Sequence, residues 1–218
     1  MHTSAMKLGS LFFEAYSDSF QNGALVIDLG ALNLNGSLKE ICPSQFNYVG
    51  VDLVHGSGVD IVLEDPYQLP FQNESIDIVI STSVFEHADM FWLSFLEIIR
   101  VLKPNGLFYL NVPSNGNFHR TPIDCWRFYP DSGVALINWA RRNNYNSVLI
   151  ESFIGKQEGD IWNDFVAVFL KDERFVSQHA DRIINHYDTF TNGTIYGRQD
   201  FINLEYIPED VRRLNSIK

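Results

Sequence analysis

Ala24-Leu25-Val26-Ile27-Asp28-Leu29-Gly30-Ala31-Leu32-Asn33-Leu34-Asn35-Gly36-Ser37 begins as a short apolar run and passes through an acid into a glycine-bearing loop. A continuous apolar run of this length suits a strand buried on both faces, as in a parallel sheet. Glycine where such a strand turns into its helix lets backbone approach a ligand that a Cβ would repel. Loops of this kind serve nicotinamide, flavin and adenosylmethionine sites alike, so the stretch predicts a strand and a turn while leaving the ligand open.

Outward from it the pattern repeats. Asn47-Tyr48-Val49-Gly50-Val51-Asp52 is a second apolar run closing on an acid, Gly58 to Leu63 a third ahead of Asp65, and Ser75 to Ser81 a fourth. Met90 to Leu102 carries Phe91, Phe95, Ile98, Ile99 and Leu102 at helical spacing before Pro104-Asn105-Gly106, and Leu107 to Val112 reads as a fifth strand. Strands alternating with helical stretches predict the α/β class, a doubly wound and mostly parallel sheet with ligands at the carboxyl ends of its strands. Asp131 to Asn143 reads as a further helix, and Ser147 to Ile154 with Asn163 to Leu170 as a C-terminal antiparallel hairpin. The expected organisation is an N-terminal extension over 1–22, one domain over 23–170 and a C-terminal extension over 171–218. In that extension His179 to Asp188 reads as a short helix, and Thr189 to Lys218 shows no period and wraps the domain or serves an interface, a homodimer being one option.

With 218 residues, 45% of them hydrophobic, the chain can bury one sizeable core. A net charge of −11, with 16 basic residues against 27 acidic, argues against a nucleic-acid partner, which needs clustered Lys and Arg. Cys42 and Cys125 lie far apart with no C-x-x-C pair, so no disulfide framework is expected and a reducing cytoplasm fits. No apolar run approaches the roughly 20 residues of a membrane span, and Met1 to Ser10 lacks the order of a signal peptide. The reading is a soluble, cytoplasmic, unprocessed protein without a membrane partner.

Asp52 stands about 20 residues beyond the loop, where a carboxylate can accept hydrogen bonds from both hydroxyls of a ribose. Four motifs come next in order: Asp65-Pro66-Tyr67-Gln68-Leu69-Pro70-Phe71, Ser75-Ile76-Asp77-Ile78-Val79, Phe85-Glu86-His87, and Arg100-Val101-Leu102-Lys103-Pro104-Asn105-Gly106-Leu107. From Leu25 to Leu170 this run resembles the class I S-adenosylmethionine-dependent methyltransferases, in particular the small-molecule, methyltransferase-11-like branch. The resemblance implies S-adenosylmethionine as cofactor and S-adenosylhomocysteine as product. It implies Asp28 and Gly30 at the methionine end with Ala31, Asn33 and Gly36 of the loop, Asp52 with Leu53 at the ribose, Asp65 with Pro66 at the adenine, and Ser81 and Thr82 beside the sulfonium. The chain departs from the pattern at Leu32 and Leu34, where small residues are usual, at Ile76 in place of an aromatic, and at Asn105 in place of a glycine. Asn33 and Asn35 tolerate left-handed backbone better than most residues and so soften the first departure.

Pro113 to Tyr129 is a long loop whose His, Asp, Arg and aromatic residues exceed what a connection needs. His87 and His119 are the candidate general bases, with Glu86 and Asp124 as their orienting carboxylates. Asp124, Trp126 and Arg127 are the candidate acceptor-binding residues. Arg127 is equally suited to an ion pair with Asp124, Trp126 to core packing, and Trp162 and Asp164 either to closing the pocket or to a structural turn. No metal is expected, because a sulfonium is already an activated methyl donor and the sequence offers no cluster of ligands. The reading is methyl transfer to a small polar acceptor, a hydroxyl of a sugar or another metabolite. The alternatives are a noncatalytic adenosylmethionine-binding or partner-binding module and a nicotinamide-dependent oxidoreductase, in which the ordered motifs would have no purpose.

Overall fold

The computed structural model describes residues 2–157, 159 and 161–206. Strands β1 (Leu25–Leu29), β2 (Asn47–Asp52), β3 (Ile61–Val62), β4 (Ile76–Thr82), β5 (Leu102–Pro113), β6 (Val148–Gly155), β7 (Asp164–Leu170) and β8 (Phe190–Ile195) form one sheet. Their spatial order is β3-β2-β1-β4-β5-β7-β6-β8. The pairs from β3 to β5 are parallel, whereas β7 lies antiparallel to β5 and β6, and β8 antiparallel to β6. This is the mostly parallel sheet with an antiparallel C-terminal hairpin that the alternation of elements predicts.

Alternation along each strand divides the core in two. Ile27, Leu29, Val79, Phe108, Leu110, Phe165, Ala167 and Phe169 face one side. There they meet α2 (Phe91–Val101) through Phe95, Ile98 and Ile99, and α3 (Ser132–Arg142) through Leu136, Ile137 and Ala140. Val26, Ile78, Ile80, Leu107, Tyr109, Val166 and Val168 face the other side. That side is covered by α1 (Thr3–Tyr16), whose Leu8, Phe12, Phe13 and Tyr16 are buried, and by Ile183, Tyr187 and Phe190.

Three local expectations differ from the structure. The helix expected after β1 is absent, and a single 3-10 turn, Leu38–Glu40, stands in its place. Only residues 37–46, Pro43 among them, separate Gly36 from β2, too few for a helix and its exit, and α1 covers that face instead. The helix expected over His179 to Asp188 shrinks to the 3-10 turn Ile183–Asn185. Thr189 onward, which showed no period, supplies β8. Asp160, part of the Gly159 to Asp164 run, and 207–218 lie outside the described residues.

The ordered motifs hold one another. Arg100 donates to the carbonyls of Leu69 (3.1 Å) and Phe71 (3.0 Å) and pairs with Glu97 at 2.6 Å. Lys103 reaches Asp77 at 2.8 Å, and Asp77 accepts the backbone N–H of Leu25 at 2.9 Å. These contacts tie the Leu-Pro-Phe loop to the end of α2 and the starts of β1 and β4 to the start of β5, so those motif residues act as scaffold.

Candidate active site at the carboxyl edge of the sheet

β1 ends at Gly30, whose φ of +92° lies in the left-handed region, and an added Cβ would sit 2.1 Å from Cγ2 of Val84. The chain then turns sideways. The N–H groups of Gly30 (2.8 Å) and Ala31 (3.2 Å) donate to Val51, and that of Asn33 donates to Ser57 at 2.8 Å. Asn33 in turn accepts from the N–H of Gly36 at 2.8 Å. The loop thus lies against the β2–β3 connection, with Ala31 buried and Leu34 exposed, so a bulky residue at position 34 meets no obstacle. Gly30→Ala should destabilise the fold by about 2 kcal/mol or more, from left-handed backbone and overpacking together. A denaturant midpoint equal to that of the parent would show that the turn relaxes freely.

Asp28 is buried on the α1 side of the sheet and accepts a hydrogen bond from the Tyr48 hydroxyl at 2.5 Å. Burial raises its pKa from 3.8 to about 6, with the Tyr48 bond opposing and Asp52 adding to the rise. A carboxyl whose folded pKa is raised weakens the fold when ionised. Stability therefore improves as pH falls through about 6, and the gain is complete below the unfolded value. The shift corresponds to about 3 kcal/mol at neutral pH. Asp28→Asn should be the more stable protein near pH 7.5, with the advantage gone near pH 4. Melting temperatures of both proteins across that range test this, and an advantage independent of pH would assign it to something other than the buried charge.

Asp52 at the end of β2 accepts three backbone N–H groups, from Leu32 (3.0 Å), Leu53 (2.7 Å) and Val54 (3.2 Å). Its carboxylate is thereby held by the backbone of both loops, and Leu53 beside it is exposed. Asp65, also exposed, accepts from the N–H of Tyr67 at 2.8 Å and is followed by exposed Pro66. At the end of β4 the Ser81 hydroxyl donates back to the carbonyl of Leu29 at 3.0 Å, so it joins β1 to β4 and does not face outward. Thr82 is buried and its hydroxyl has no partner, and neither has Oδ1 of Asn111, its register partner on β5. Sequence reasoning missed Asn111 because an asparagine inside an apolar strand carries no motif.

The long loop after β5 is stitched to the turn after β4. The Glu86 carbonyl accepts from the N–H groups of Cys125 (2.7 Å) and Trp126 (3.2 Å), Nδ1 of His87 contacts the carbonyl of Ile123, and Trp126 donates its indole N–H to Ala88 at 2.9 Å. The loop is also stitched to the β6–β7 connection through Asn115 and Asn163, which bond at 2.7 Å. Gly116, with φ +106°, has no room for a Cβ, which would lie 1.8 Å from the Trp162 ring.

These stitches bring the two candidate histidines together. Their ring centroids are 5.0 Å apart, and His119 also meets the Trp162 ring edge-on at 5.0 Å. Asp124 accepts the His119 backbone N–H at 2.7 Å, lies 3.5 Å from its Nδ1, and is held by Arg127 at 2.6 and 2.9 Å. That guanidinium keeps the Asp124 carboxyl well below the usual carboxylate range. The Arg127 pairing anticipated as one alternative is therefore formed. Trp126 lies apart, packed edge-on against Phe91 and Trp92. Glu86 is buried, 3.8 Å from Nε2 of His87, with Oε2 unpartnered. Burial pushes its pKa up to about 8. One ligand atom each from Glu86, His87 and His119 lies within 4.8 Å of the other two, a cluster the sequence did not display.

Residues 22–110 match a family described as a methyltransferase domain. The chain is 34% identical over 86 residues to phthiotriol/phenolphthiotriol dimycocerosates methyltransferase 1 of Mycobacterium ulcerans (strain Agy99), a match covering 38% of this chain and 29% of that protein. It is 28% identical over 108 residues to the tRNA (carboxymethyluridine(34)-5-O)-methyltransferase of Arabidopsis thaliana, covering 45% of this chain and 26% of the relative. The chain thus spans less than a third of either curated relative. Among solved structures, the Burkholderia thailandensis 1,6-didemethyltoxoflavin-N1-methyltransferase, which holds S-adenosylhomocysteine, superposes with a TM-score of 0.61 at 16% identity, over 78% of this chain and 79% of that one. Motifs, sheet and family match point the same way: residues 22–110 are similar to a methyltransferase domain, and the fold is similar to that of a solved methyltransferase.

Proposed function

We propose that the protein transfers the methyl group of S-adenosylmethionine to a small polar acceptor, a hydroxyl of a sugar or another metabolite. The observation that carries this reading is one edge of the sheet. There the carboxylates of Asp28 and Asp52 flank a glycine loop, and the next two strands lead into His87 and His119, whose rings touch. The residues fit the cofactor. Asp28 offers a buried anion to a cationic ligand, Asp52 a half-buried carboxylate to a ribose, and Thr82 with Asn111 buried polar atoms that lack partners.

When bound, the cofactor supplies an activated methyl carbon. The protein has to align an acceptor lone pair behind it, exclude water and take up a proton. Asp28 and Asp52 bind and orient. The stitched loop from Pro113 to Tyr129, with Trp162 against it, excludes water. His87, whose Nδ1 is engaged by Ile123, and His119, whose Nδ1 lies 3.2 Å from the carbonyl of Asn117, each keep Nε2 for an acceptor proton. The net charge of −11 favours a metabolite over a nucleic acid as acceptor.

Calorimetry with S-adenosylmethionine, S-adenosylhomocysteine and NAD tests the first half: the first two should bind and NAD should not. A metabolite screen with labelled methyl donor tests the second. Binding of NAD alone would overturn the proposal in favour of an oxidoreductase.

A further inference from the structure

We infer that Glu86, His87 and His119 form a binding site for a divalent transition-metal cation of the zinc type. A tetrahedral zinc ion bound to nitrogen and oxygen at about 2.0–2.2 Å sets its ligands roughly 3.4 Å apart. The three ligand atoms here lie within 4.8 Å of one another, and the Glu86–His87 pair, at 3.8 Å, is already close to that separation. His119, whose side chain is 37% exposed, is the ligand with room to adjust.

The surroundings support this assignment independently of the spacing. Glu86 is 1% exposed and its Oε2 has no partner, an arrangement that is costly unless a ligand or a proton meets it. His87 is oriented as metal-bound histidines are, with Nδ1 on a backbone carbonyl and Nε2 turned toward Glu86. His119 has its own carbonyl and carboxylate neighbours in Asn117 and Asp124. Three protein ligands leave a fourth position for an oxygen ligand, the arrangement of zinc sites that act on a bound molecule.

The binding of the cation does not rest on the proposed methyl transfer, but its chemical use does. A hydroxyl in the fourth position gives its proton to solvent as coordination lowers its pKa. Its lone pair then forms the O–C bond while the S–C bond breaks and leaves its electrons on sulfur. The ion-loaded site therefore activates the acceptor by coordination, and the ion-free site by a histidine nitrogen.

The test is titration of the full chain with cobalt(II) alone, followed by visible absorption, and then displacement by zinc(II). Wild type should develop the intense visible bands of low-coordinate cobalt at one equivalent, and zinc should abolish them. Glu86→Gln, His87→Ala and His119→Ala should each lose the bands. Far-ultraviolet circular dichroism verifies the fold, and the partly exposed His119 keeps the test usable if a buried variant fails to fold. Absence of the bands in wild type, or their persistence in folded His119→Ala, overturns the site. Calorimetry with S-adenosylmethionine on the ion-free protein reads the methyltransferase proposal separately: cofactor binding without cobalt bands removes the metal alone, and bands without cofactor binding remove the other.

Discussion

Replacing Asp52 with alanine should weaken S-adenosylmethionine binding more than any other single change in the cofactor half of the site. Each charge-assisted hydrogen bond to a ribose hydroxyl is worth about 1.5–3 kcal/mol, roughly 10- to 150-fold in Kd per bond. Asp52 also accepts the N–H groups of Leu32, Leu53 and Val54, so its loss loosens the loop after β1 as well. Asp52→Asn separates the two effects, because the amide still presents an oxygen to the backbone but lacks the charge and the second acceptor. Calorimetry and melting curves on both variants are the measurement. Unchanged affinity in the alanine variant would remove Asp52 from the ribose.

The second large effect concerns catalysis. With an acceptor identified, His119→Ala should lower kcat by about 10²- to 10⁴-fold, the usual loss on removing a general base, while leaving cofactor affinity near normal. His119 is favoured over His87 because its loop brings Asp124 to 3.5 Å from its Nδ1 and Trp162 against its ring. His87 also carries a bracing load, through its contact with Ile123, and His87→Ala should therefore lower the melting temperature as well as the rate. If both variants keep near-normal kcat and bind cofactor normally, alignment alone does the catalysis and neither histidine serves the acceptor.

The parallel strands were legible because buried runs such as Leu25–Leu29 and Ile76–Thr82 are continuous in sequence and each closes on polar residues at the same edge. β8 was not, because Phe-Thr-Asn-Gly-Thr-Ile has few apolar residues and forms a strand by pairing with β6. The helix expected after β1 failed for a related reason. Glycine and polar residues signal a turn, but whether a helix comes after it depends on whether another element, here α1, already covers that face. Asp28 and Asp52 could be read individually, since strand ends are local. The Glu86, His87 and His119 cluster could not, because it depends on the loop after β5 folding back onto the turn after β4, a contact made largely by backbone carbonyls that no residue type announces.

α1 is made early in synthesis, yet much of what it rests against is made late. Tyr16 donates to Glu151 at 2.5 Å, Glu151 also accepts the N–H groups of Ile183 and Ile184, and Leu8 and Phe12 share a cluster with Ile183, Tyr187 and Phe190. A nascent chain that has completed β1 to β5 can pack α1 on those strands, but still lacks Glu151 and the segment around Ile183 to Phe190, against which α1 also rests. Contacts spanning most of the chain carry a large loop-closure cost before any reward, and they slow folding. A ribosome-bound intermediate would hold an exposed apolar sheet face beside an unpaired strand edge, the combination that invites association. The side of the sheet that α1 covers is therefore completed only when the segment around Ile183 to Phe190 joins it.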